Sequence, residues 1–123
     1  MKKMTEIQVS IEDKPGTMAT LCSVLGKAGV NIDGSMVTGG VVRMVVQDVP
    51  KATSALNGAG YKPSTKEVAA AEVPNQPGAL TTLARKIADK GVNIDYLYAT
   101  TMGSGGKATV VFGVANPDAI AGL

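Results

Sequence analysis

Nine of 22 positions are identical when residues 15–36 are laid over residues 77–98 at a constant offset of 62. The identities are Pro15/Pro77, Gly16/Gly78, Thr20/Thr82, Leu21/Leu83 and the block Gly29-Val30-Asn31-Ile32-Asp33 against Gly91-Val92-Asn93-Ile94-Asp95. Because they cluster in blocks, they mark one supersecondary unit built twice, not a shared composition. Two copies in one chain leave about 60 residues for each, a size at which a lone unit is marginal and gains from a neighbour.

In the first copy, residues 4–12 alternate, with Ile7, Val9 and Ile11 on one face and Glu6, Gln8, Ser10 and Glu12 on the other. This predicts a half-buried strand with its second face in solvent. Residues 17–28 set Met18, Leu21, Cys22, Leu25 and Ala28 at helical spacing, and Gly29 suits the left-handed position that stops a helix. The runs 30–37 and 41–46 are apolar and β-branched around Thr38-Gly39-Gly40, which predicts a hairpin. Pro50 opens a helix over 50–59, and Gly58-Ala59-Gly60 ends it before a strand over 61–66.

The second copy repeats this order with a strand over 67–74, a helix over 79–90 and strands over 92–101 and 107–114. Its helix is expected to bury Leu80, Leu83, Ala84 and Ile87. Pairing Pro50 with Pro117 and Leu56 with Leu123 gives an offset of 67, so the second hairpin, around Met102-Gly103-Ser104-Gly105-Gly106, reads as five residues longer. A last helix of about two turns then follows, and no counterpart of residues 57–66 remains. The expected organisation is a unit over 1–66 and a second over 67–123 that lacks its final strand. An open edge on the strand over 67–74 would invite pairing, so it is expected to be covered by the first unit or by another chain. The β-α-β-β-α-β order, with helices on one face of antiparallel sheets, is an α+β, ferredoxin-like architecture.

Composition narrows the chemistry. There is no histidine, which removes His-based triads and His-ligated zinc, and a single cysteine, Cys22, which is read as a small core residue. A net charge of +2 is too small to call for nucleic acid, and no apolar stretch approaches the length that crosses a bilayer. The N-terminal segment has no signal-peptide core, so a cytoplasmic location is expected, without membrane association. Tyr96 and Tyr98 share a strand face and read as packing residues, and Arg43 reads as solvent-facing. No catalytic residues, cofactor or metal site are expected, because no nucleophile and base pair or ligand cluster can be assembled.

The repeated Pro-Gly follows a strand and opens a helix, where unpartnered amides and the helix dipole favour a small anion such as a carboxylate. A plain turn uses the same residues. Asn31 and Asp33, like Asn93 and Asp95, share one side of a strand, where an amide and a carboxylate suit an amino-acid head group; a solvated face is the alternative.

An Asp/Asn-x-Pro-Gly turn, a Leu-containing helix and Gly-Val-Asn-Ile-Asp in one such unit resemble the ACT domain, an amino-acid-sensing module of metabolic enzymes, and the pair resembles small tandem ACT-domain proteins. The resemblance implies side-by-side pairing of units and amino-acid ligands at the interfaces between them. Carried over by position, it implies ligand-binding roles for Asp13, Pro15, Gly16, Thr17, Met18, Asn31, Ile32 and Asp33. In the second copy it implies the same for Asn75, Pro77, Gly78, Ala79, Leu80, Asn93, Ile94 and Asp95. The function expected is a non-catalytic, allosteric regulatory protein with an amino-acid ligand, forming a homodimer. The alternative is a regulatory or scaffolding subunit of an amino-acid-metabolism enzyme, its partner, in which the ACT units serve only for association.

Overall fold

A computed structural model describes residues 1–101 and 106–123, and the chain divides into two compact units. One is Thr5–Lys66, and the other joins Met1–Met4 to Glu67–Leu123. The described elements run β1 (Lys2–Ser10), α1 (Thr17–Lys27), β2 (Ile32–Thr38), β3 (Val41–Val46), α2 (Val49–Gly58), β4 (Ser64–Pro74), α3 (Ala79–Asp89), β5 (Tyr96–Thr101) and β6 (Lys107–Gly113). A 3-10 turn, Pro117–Ala119, follows β6. The class is α+β, with antiparallel strands and ferredoxin-like connectivity.

In the first unit the strand order is β2-β3-β1, with residues 64–66 of β4 beyond β1. The register sets Ile7 opposite Met44 and Val9 opposite Val42. These four side chains, together with Leu21 and Leu25 of α1 and Ala52 and Leu56 of α2, form the buried core. Each fully buried Val, Leu, Ile or Met among them contributes about 1.5–3 kcal/mol. The helix periodicity predicted from the sequence therefore holds for α1, although Cys22 is only half-buried. Gly29 ends α1 at φ 74°, and the Val30 amide returns 3.0 Å to the Leu25 carbonyl. Gly91 does the same for α3 at φ 71°, with Val92 bonded to the Ile87 carbonyl.

The second face of β1 is solvated at Ser10, and beyond the strand at Glu12, as expected, but not at Glu6. Glu6 is fully buried and accepts a hydrogen bond from Gln8 Nε2 at 3.0 Å. Val45, on the same side by register, is also buried, and Arg43, expected in solvent, is half-buried opposite Gln8. Alternation identified the two faces correctly but could not reveal that the second is covered around Glu6 and Gln8 while Ser10 and Glu12 stay exposed.

In the second unit the order is β4-β6-β5, and residues 2–4 of β1 take the place on the other side of β4. Read from residue 67 to 123 and on through 2–4, this unit has four strands, the last drawn from the start of the chain. The strands expected over 61–66 and 67–74 are one 11-residue strand, β4. Its core is Ala69, Ile87, Val110, Phe112, Val114 and Ile120.

The offset of 67 expected after the second hairpin is corrected to 68. Val42, Met44 and Val46 occupy the core positions of Val110, Phe112 and Val114. Asp48 and Asn116 both cap the following turn from extended backbone at φ −134°. Proline tolerates either of the first two helical positions, so matching Pro50 to Pro117 misplaced the register by one residue. The second hairpin is therefore six residues longer than the first, and its residues 102–105 lie outside the described residues. The expected two-turn helix is only the three-residue turn Pro117–Ala119. With so little beside it, α3 fully buries Ile87 alone, and Leu80, expected in the buried stripe, is 42% exposed.

Candidate functional site

Both predicted loops reach their helices through the same backbone geometry. Gly16 stands before α1 at φ 89°, ψ −16°, and Gly78 before α3 at φ 84°, ψ −11°. Only glycine adopts this left-handed conformation without steric cost. Neither helix carries a side-chain cap, whereas α2 is capped by Asp48, whose carboxylate accepts from the Lys51 amide at 3.1 Å. The first helical amide of each folds back on its loop, Thr17 to the Lys14 carbonyl and Ala79 to the Gln76 carbonyl, at 3.4 and 3.3 Å.

The two loops differ in their fastening. The Thr17 hydroxyl donates to the carbonyls of Glu12 and Lys14 at 2.6 and 2.9 Å, and Lys14 pairs with Glu12 at 2.7 Å. Ala79 and Gln76 stand at the corresponding positions, so the second loop has none of these bonds. Asp13, Pro15 and Gly16, like Asn75, Pro77 and Gly78, are exposed. Met18 is half-buried, and its counterpart Leu80 is exposed.

The second predicted group also repeats. Asn31 Nδ2 donates to Asp33 Oδ1 at 2.8 Å, and Asn93 Nδ2 to Asp95 Oδ1 at 3.0 Å. These four side chains are exposed, while Ile32 and Ile94 turn the other way and pack on their cores. In the first unit a register shift between Ile32 and Gly34 places Asp33 at a β-bulge. The amide and carboxylate thus form a fixed acidic pair, the amide holding one carboxylate oxygen.

One unit does not bring the two groups together. Residues 13–18 lie at the start of α1 and residues 31–33 beyond its end, and an 11-residue helix is about 16 Å long. The same separation holds across α3. A shallow depression of about 380 Å³ along α1, lined by Ala19, Thr20, Ser23, Val24 and Lys27, includes none of the predicted residues. Among the described residues no three His, Cys, Asp or Glu side chains gather as a metal site, and no helix is long and apolar enough to cross a membrane.

Compared with known families, residues 2–122 match the model of the ACT domain pair. The chain belongs to this family. The fold is similar to that of protein BT0572 from Bacteroides thetaiotaomicron, at 27% identity and a TM-score of 0.87, over 96% of this chain and 84% of that one. It is also similar to the regulatory subunit of aspartate kinase from Thermus thermophilus, at 19% identity and a TM-score of 0.69 over 98% and 87% of the two chains. The corresponding subunit from Thermus flavus gives 20% identity and a TM-score of 0.67, over 99% and 87%. No curated protein matches.

Two residues of this ACT pair were absent from the predicted site. Thr20 and Thr82 each direct amide and hydroxyl to the carbonyl of the left-handed glycine, at 3.0 Å for both Thr20 bonds and 3.1 and 3.2 Å for Thr82. They pin the peptide that opens each helix. Their signal was in the sequence, since Thr20/Thr82 is one of the identities at offset 62.

Proposed function

We propose that the chain is a non-catalytic regulatory protein that binds a small ligand, an amino acid, its carboxylate at a glycine-opened helix start and its ammonium at an Asn-Asp pair. The supporting observation is the duplication: the uncapped helix behind a left-handed glycine and the amide-held carboxylate both recur in each unit. Because the two groups flank a helix, the ligand bridges the loop of one copy and the segment that leads into β2 or β5 of a second copy. Pairing of copies is supported by the edge strands β2 and β5, which expose Val37 and Leu97 and carry no lysine or proline to discourage pairing. Ligand binding then favours the dimer by the difference in its affinity for the two states. Residence in the cytoplasm accords with this role.

A panel of the twenty amino acids in thermal-shift and sedimentation measurements tests the reading. At about a hundredfold excess over Kd, a ligand adds roughly 2.7 kcal/mol, a shift of several degrees for a chain this small. The expected result is one or a few stabilising amino acids with a rise in mass. A second reading, an association subunit of a metabolic enzyme, is favoured by the separation of the two groups within each unit. It predicts no shift with any amino acid and recovery in complex with a larger enzyme.

A further inference from the structure

Lys3 joins the start of β1 to the turn Pro117–Ala119. Its Nζ lies 2.7 Å from Asp118 Oδ1 in the closing turn and 3.7 Å from Glu67 Oε2 in β4. Beside it the Met1 nitrogen donates to the Leu123 carbonyl, and the Met1 side chain packs on the second core. Lys2 and Lys3 are exposed, and Met1 and Met4 are half-buried. Further along the same strand, Glu6, Ile7 and Val9 are buried. The turn is equally slight, being three residues of 3-10 helix with amide bonds of 3.1 to 3.4 Å from Ala119, Ile120, Ala121 and Leu123. Yet it delivers Ile120, fully buried, to the core. The two segments dock through few side chains, Met1 on one and Pro117, Ile120 and Leu123 on the other, so the ties between them add to the order of both.

We propose that residues 1–4 and 117–123 form one latch, which opens and closes as a cooperative piece over the second unit while the first unit stays folded. Opening uncovers the Ile120 site and one edge of β4, the strand that leads into Asn75–Leu80.

Residue-resolved hydrogen exchange on the full chain tests this by comparing the wild type with Lys3→Glu. Reversing an exposed charge that serves two ion pairs should speed exchange of Ala119, Ile120, Ala121 and Leu123 by about tenfold. Amides of β3 should be unchanged. The double variant Lys3→Glu with Asp118→Lys should recover most of the protection, since the pair is re-formed with its charges exchanged. Unchanged exchange at 119–123 in Lys3→Glu would overturn the latch. Equal acceleration in β3 would too, because the chain would then open as one body. A double variant no better protected than the single one would show that the ion pair is not the tie.

Discussion

The ring of Tyr96 lies over Gly113, its partner across the β5–β6 ladder, so that a Cβ added at Gly113 would fall inside the ring. In the first unit the corresponding pair is Gly34 opposite Val45, with the large and small residues exchanged. Each pair contains one glycine, so the space is filled from one strand only. Tyr96 also stacks on Tyr98, with ring centroids 6.5 Å apart. Gly113→Val should destabilise the chain by about 1–3 kcal/mol through overpacking. Adding Tyr96→Gly, which reproduces the arrangement of the first unit, should recover part of that loss. Urea unfolding of both variants checks this, and additive losses would show that the two positions are uncoupled.

The two helices that share a repeat should respond differently to truncation. Leu25 is fully buried among Leu21, Met44 and Leu56, so Leu25→Ala should cost about 2–5 kcal/mol. Leu80, exposed at the start of α3, should tolerate Leu80→Ala within about 0.5 kcal/mol. A shift in the thermal midpoint of similar size in both would contradict the burial assigned to them. If Leu80 instead lines a ligand cleft, its truncation weakens binding without changing the melting of the free protein.

These contrasts show where the sequence was sufficient. Repeat blocks, helix periodicity and the stop glycines Gly29 and Gly91 located α1, α3 and the hairpin of the first unit within a residue or two, because each depends on local geometry. The buried state of Glu6, the exposure of Leu80 and the single strand β4 were not legible. Each depends on what lies across the sheet or beside the helix, which periodicity within a segment does not encode. For the site, Pro-Gly at each helix start and the shared side of Asn31 and Asp33 followed from the repeat and from alternation, whereas the left-handed conformation of Gly16 and Gly78 did not. That the amide would bond the residue two along, that the strand expected over 92–101 would begin only at Tyr96, beyond Asn93 and Asp95, and that the two groups would sit at opposite ends of a helix, required the fold.

Gly16→Ala and Gly78→Ala test the helix openings. Neither new Cβ would meet an atom within 4 Å, so any effect arises from the left-handed backbone and not from a clash. Each should cost about 1–2 kcal/mol of stability. Gly16→Asn should cost less, since asparagine visits this conformation more readily. If the openings hold a carboxylate, the alanine variants should also lower amino-acid affinity measured by calorimetry. Unchanged stability in both would remove the conformational argument for glycine at these positions.

Lys3 gives the chain a dependence on alkaline pH. The hydrogen bond and the charge of Asp118, then the charge of Glu67, raise its pKa above the usual 10.5. Because the folded value is the higher one, the amine holds its proton more tightly in the folded chain, and the stabilisation is fully present below 10.5. It declines as pH rises through the folded pKa. The side chain is exposed, so the effect is modest and salt should weaken it. Thermal melts at pH 8 and pH 11 should show a larger drop for the wild type than for Lys3→Gln, which has no proton to lose. The difference between the two proteins isolates the contribution of Lys3. Parallel curves would mean that its ion pairs add nothing to folding.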